Sequence, residues 1–166
     1  MNQSRARLLE GYCQLPDQLE SAVSGLSDAA LDLTLGEGWS IREYAHHTVE
    51  SEYMWQLFLR AVLGKDGIEI PIQWYFSLSQ EQWARGWAFT GRAIGPGLVL
   101  LRSNTRSLVE LLRHVPASFW KNTGRVTWPG AQEEQSLNVG DILRMQIRHV
   151  RQHSADISAI RELHHI

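Results

Sequence analysis

An all-α four-helix bundle with one long irregular connection is the fold this sequence predicts, and three observations predict it. Four segments repeat apolar residues at three- and four-residue steps, the period of an amphipathic helix. Residues 64–97 interrupt that period with glycines and prolines, which places a long connection between the second and third helices. With 166 residues, 43% hydrophobic and 20% charged, the chain can bury one sizeable core, and residues 1–166 read as a single domain.

The first helix covers residues 4–26, where Leu8, Leu9, Tyr12, Leu15, Leu19, Val23 and Leu26 form one stripe and Pro16 marks an irregularity or kink. Ser27 then caps a short turn that carries Leu31 toward the core. Ser40 followed by Glu43 is a capping box, in which each side chain satisfies a backbone donor at the helix start. Trp39, just before the cap, is placed to pack back onto Tyr44, and the helix runs to about Leu63, where Gly64 ends it. Within 64–97, "GIEIPIQWYF" reads as extended and "SLSQEQWARGWAF" as a short helix. A regular helix resumes over 98–114 with Leu101, Leu108, Val109, Leu111 and Leu112 buried, and Pro116 stops it. Residues 122–138 read as a loop with a short hairpin. The last helix begins near Asn138 or Val139, and its inner stripe is Ile142, Met145, Gln146, His149, His153, Asp156, Ile157 and Ile160. Four such helices make a bundle.

Composition narrows the function. A net charge of −2 gives no electrostatic case for nucleic acid, and the cluster Arg144, Arg148, Arg151 reads as a solvated helix face. No apolar run approaches the roughly 20 residues that span a bilayer, so no membrane partner is expected. The N-terminus lacks an apolar signal core, and the lone Cys13 rules out an internal disulfide; both point to the cytoplasm. Cys13 itself reads as a small buried apolar residue. Most of the seven tryptophans belong in the core, with one or two left to line a pocket.

Polar residues set into the inner stripe of the last helix are the chemical signal. His149 and His153 are four residues apart, so on a helix their side chains share one face about 5–6 Å apart. Two imidazoles at that spacing can hold one cation at nitrogen–metal distances of roughly 2.0–2.1 Å. The second helix offers His46 and His47, which point about 100° apart, so one of them at most can reach the same spot. Periodicity alone does not choose between them.

"GWSIREYAHHTVESE" together with "HVRQHSADI" resembles the DinB-like (YfiT-like) superfamily of bacterial four-helix-bundle metalloproteins. The likeness extends to "LPDQLESAVSGLSDAALDLTLGEGWSIREYAHHTVESE" and "LLRSNTRSLVELLRHVPASFW", leaving residues 64–97 uncovered. In that family a ligand histidine follows the tryptophan by eight residues, which here implies His47 and leaves His46 out. The family's second pattern, HxxxH followed by a small, a polar and an aliphatic residue, matches His149, His153, Ala155, Asp156 and Ile157. The family commonly has Gln or His where this chain has Asp156.

The resemblance implies a three-histidine site of His47, His149 and His153 holding one divalent ion per chain, zinc or nickel, with a coordination position left for water or substrate. Ligand imidazoles usually donate their other ring nitrogen to a carboxylate or carbonyl, and Glu50, Gln146 and Asp156 lie one turn from the ligands for that role. His114, His164 and His165 fit cations at helix or chain ends. The activities implied are a metal-dependent thiol S-transferase using a low-molecular-weight thiol such as bacillithiol or mycothiol, a metal-dependent hydrolase, or a noncatalytic metal-binding stress-response bundle. The partner implied is a small-molecule substrate, with a homodimer as the candidate assembly. No general base is identifiable, and substrate specificity is expected to come from residues 64–97 and 122–138.

Overall fold

A computed structural model describes residues 3–166 and places the four long helical segments around one apolar interior. The first segment is two helices, α1 (Gln3–Cys13) and α2 (Leu15–Val23). The break falls at Gln14 because Pro16, in the first turn of α2, has no N–H to continue the ladder. Cys13, at the last position of α1, is exposed rather than buried, since the break turns it away from the stripe of Leu9, Tyr12 and Leu15. The turn α3 (Asp28–Leu31) starts as its sequence indicates, with Ser27 Oγ accepting from Ala30 N at 3.2 Å and Leu31 buried.

Helix α4 (Ile41–Gly64) carries the complete capping box: Ser40 Oγ accepts from Glu43 N, and Glu43 Oε2 accepts from Ser40 N at 2.9 Å. Beyond it come β1 (Ile68–Glu69), a short 3-10 turn at Tyr75–Ser77 and α5 (Gln80–Gly86), whose own capping box joins Ser79 and Gln82. Helix α6 (Gly95–His114) starts three residues before the expected position, because Pro96 fits the first turn of a helix. A 3-10 turn (Ala117–Lys121) leads to β2 (Thr123–Val126), β3 (Gln135–Asn138) and α7 (Val139–His164).

The strictly all-α expectation is therefore corrected: the bundle carries a three-stranded sheet in the order β1-β2-β3. The hairpin β2–β3 is the one its sequence suggested. β1, by contrast, pairs parallel to β2, with Ile68 opposite Gly124, a partner more than fifty residues away that no local pattern discloses. Gly124 is required there, since a Cβ at that position would come within 2.6 Å of Ile70 Cδ1 and 2.7 Å of Val62 Cγ2.

Two apolar clusters build the interior. One gathers Tyr12, Leu59, Leu108, Ile142 and Val150, and the other Leu19, Ile41, Leu101, Ile157 and Ile160. Each fully buried Leu or Ile contributes about 1.5–3 kcal/mol, so these stripes fix how α4 and α7 face each other. Across the first cluster runs a buried polar chain: Gln56 Nε2 donates to Tyr12 Oη at 3.0 Å, and Tyr12 donates to Glu52 Oε2 at 2.9 Å. Burial without a cation raises the Glu52 carboxyl to about 8, so it is neutral at pH 7.

Candidate metal centre

The α4 stripe Tyr44, His47, Ser51 and Met54 advances by three or four residues and faces one cavity. Met145, Gln146, His149 and His153 of α7 form the opposite wall. Trp39, fixed just ahead of the α4 cap, lies edge-on to both Tyr44 (5.5 Å between centroids) and His47 (4.8 Å). The expected packing of Trp39 on Tyr44 is present, and the same ring also buttresses the histidine eight residues on.

The three expected histidines come together. His149 Nε2 lies 3.1 Å from His47 Nε2 and 3.0 Å from His153 Nε2. Among the described residues, these three form the group of His, Cys, Asp and Glu side chains close enough to hold an ion, one nitrogen from each lying within 4.8 Å of the others. Desolvation, reinforced by the neighbouring imidazoles, lowers the pKa of His47 to about 2. His149 is lowered to about 4 by the same two causes, burial first and His153 second. Both rings are thus neutral at pH 7, with lone pairs available.

The three residues expected to orient these imidazoles divide. Asp156 does so: its Oδ2 lies 3.0 Å from His153 Nδ1, while Oδ1 accepts from Gln152 Nε2 at 3.0 Å. With Nδ1 donating to the carboxylate, His153 presents Nε2 as an acceptor. Glu50 does not: Arg92 takes its Oε1 at 2.7 Å, on another side of α4. Gln146 reaches the cavity wall but bonds no histidine; its Oε1 is buried without a partner, as is His149 Nδ1.

His46 is buried, and both of its ring nitrogens are engaged. Nε2 lies 3.0 Å from the Arg92 carbonyl and Nδ1 lies 2.9 Å from the Arg92 guanidinium. That pattern makes Nε2–H the donor and Nδ1 the acceptor, leaving no nitrogen for a metal. Two of the helix-end histidines also have partners: His114 Nδ1 reaches Glu110 O in its own helix, and His164 Nε2 reaches Thr34 O across the fold.

The long connection completes the cavity, which has a volume of about 420 Å³. Ile72, Tyr75, Phe76 and Gln80 come from residues 64–97, and Trp128 comes from 122–138, the two stretches expected to set specificity. Tyr75 sits with its hydroxyl 3.5 Å from His47 Nδ1 and donates to Gln80 Oε1 at 3.1 Å. It is held in place by stacking on Trp83 (5.6 Å, 8° between planes), whose Nε1 donates to the Tyr75 carbonyl. Tyr44, Ser51 and Met54 share the His47 face at i−3, i+4 and i+7, a signal present in the sequence. Tyr75, Gln80 and Trp128 had none beyond the aromatic richness of their segments.

Two larger grooves, about 1120 and 840 Å³, lie against α2 and α7 and against α1 and α7. Both are lined by several charged side chains and neither contains any of the three histidines, so size does not identify the site.

The fold and site define a helical bundle whose core-facing wall carries three converging imidazoles. The model of the DinB superfamily matches residues 12–157, and the chain belongs to that superfamily. A protein of Geobacillus kaustophilus (strain HTA426) is 27% identical over 151 residues, covering 89% of this chain and 79% of its own. One from Geobacillus thermodenitrificans (strain NG80-2) is 26% identical over 151 residues, covering 90% and 79%. Both bear the provisional name of metal-dependent hydrolase. The solved structure of YfiT from Bacillus subtilis superposes with a TM-score of 0.83 at 18% identity, covering 98% of this chain and 88% of that one. YfiT is described as a probable metal-dependent hydrolase with an unusual four-helix bundle topology. At that identity the likeness establishes the fold.

Proposed function

We propose that the chain is a metal-dependent hydrolase that takes a small-molecule substrate in the histidine-walled cavity, with one divalent ion per chain on His47, His149 and His153. The convergence of three Nε2 atoms at about 3 Å carries this reading. Burial lowers the pKa values of His47 and His149, so these two rings meet an ion without a proton to displace. The donor set fits zinc or nickel, both of which imidazole suits. When bound, such an ion supplies a Lewis acid and lowers the pKa of a coordinated water toward about 7.

The chain does the rest. Asp156 holds the tautomer and orientation of His153. Burial keeps His47 and His149 free of protons that an ion would otherwise have to displace. Trp39, Trp55 and Trp128 wall the cavity and exclude bulk water, which strengthens every electrostatic contact inside it. The hydrolase names of the relatives support this reading over thiol S-transfer, which draws no support from them.

The test begins with metal analysis of the purified protein, where about one divalent ion per chain is expected. The loaded protein should hydrolyse members of an ester and amide panel, a chelator should abolish the activity, and added zinc or nickel should restore it. Equal activity after complete stripping contradicts the reading. A sulfur-to-metal charge-transfer band in cobalt-substituted protein with a small thiol, accompanied by no hydrolysis, would replace it with the transferase.

A further inference from the structure

This inference rests on the hydrolase reading and concerns what the cavity selects. Among the described residues no lysine, arginine, aspartate or glutamate lines it, although both larger grooves carry several. Its walls are Trp, Tyr, Phe, Met and Ile, with Ser51, Gln80, Gln146 and the three histidines as the other groups. A charged substrate body would therefore lose its hydration without gaining a counter-ion. An anionic group finds compensation only at the ion, the place of the reacting group, and a cation is repelled from that end.

Among the cavity-lining side chains described, Gln146 Oε1 and His149 Nδ1 are buried without a hydrogen-bond partner, and Gln146 is the one of the two outside the histidine cluster. It is 2% exposed on the inner face of α7, one turn before His149, and lines the cavity. Native interiors pair the large majority of such groups, so an unpaired carboxamide oxygen beside the reactive end of a cavity marks a place for a ligand's polar group. Tyr75 is already committed to Gln80, and His153 to Asp156.

We propose that the substrate is uncharged and apolar along its body, and that it carries an amide which hydrogen-bonds the Gln146 carboxamide. An amide offers both a donor and an acceptor, so it complements a carboxamide in either of its two orientations. A cavity of about 420 Å³ accommodates a molecule the size of a substituted anilide.

The probe is acetanilide, titrated into metal-loaded protein by NMR, with 4-(aminomethyl)acetanilide as its cationic counterpart. Acetanilide should bind at the cavity at least tenfold more tightly than the cation. Gln146→Leu should weaken acetanilide about tenfold, the value of one hydrogen bond, while metal stoichiometry stays unchanged and thermal stability holds or rises. Equal or tighter binding of the cation overturns the proposal, as does unchanged acetanilide affinity in Gln146→Leu. Loss of metal from Gln146→Leu also overturns it, because the carboxamide would then be serving His149. Failure of the hydrolase reading is seen separately, as absent metal or absent turnover in the unsubstituted protein.

Discussion

Helix α4 carries two polar clusters on different sides, and they are built in opposite ways. On one side Arg42, 1% exposed, donates to Asp32 at 2.6 Å, to Asp28 at 2.9 Å and to the Arg92 carbonyl at 3.1 Å. His46 and Glu50 close on Arg92 beside it. Every charge there has a counter-charge, and both nitrogens of His46 are in use. On the side facing α7, His47 meets His149 and His153 with ring nitrogens turned toward one another and, among the described residues, no lysine, arginine, aspartate or glutamate lining the cavity. A saturated cluster holds a fold together. The unsaturated one is where the proposed metal site lies.

The comparison breaks most visibly at Arg42. Arg42→Ala leaves a cavity and removes the donors to Asp28, Asp32 and the Arg92 carbonyl; with both carboxylates exposed, the loss is mainly packing, and unfolding should become easier by about 2 kcal/mol. Metal content should nonetheless stay at the wild-type value, measured on the same preparation. A variant of full stability would show that this cluster is not structural.

Asp156 sharpens the other side. Asp156→Asn keeps the shape but weakens the hold on His153 Nδ1, and metal affinity should fall about 10–100-fold in a competition titration. Denaturant unfolding of the metal-free variant should barely change. Affinity within twofold of wild type would remove Asp156 from the site.

Glu52 lies outside both clusters and gives a pH-dependent control. Its folded pKa, about 8, stands above its unfolded value of 4.5, so its contribution to stability is complete below pH 4.5 and is lost as pH rises through 8. In that window wild type should lose about 1.4 kcal/mol per pH unit relative to Glu52→Gln, which cannot ionise. Parallel stability curves for the two proteins would mean that Glu52 is already ionised in the fold.

The division between the clusters was only partly legible in the sequence. His149, His153 and Asp156 follow from helical spacing, because successive turns of one helix place them on one face. His47 was implied by the family resemblance, through its distance to Trp39, and the ring contact with that tryptophan gives the spacing a physical basis. Glu50 was misplaced because its partner, Arg92, lies beyond an irregular connection whose path no periodicity encodes. The same limit hid Tyr75, Gln80 and Trp128 from the cavity and hid the parallel pairing of Ile68 with Gly124. Local chemistry is readable where a regular helix carries it; contacts made by loops depend on the whole fold.

The central claim is that adjacent histidines on α4 have opposite roles, and metal stoichiometry of two single variants tests it most directly. His46→Gln and His47→Gln are purified alongside wild type, dialysed against the same zinc or nickel buffer, and assayed for bound metal, with circular dichroism as the check on folding. The account predicts about one ion per chain for wild type and for His46→Gln, and nearly none for His47→Gln. Full metal in a folded His47→Gln protein, or loss of metal from a folded His46→Gln protein, would contradict it.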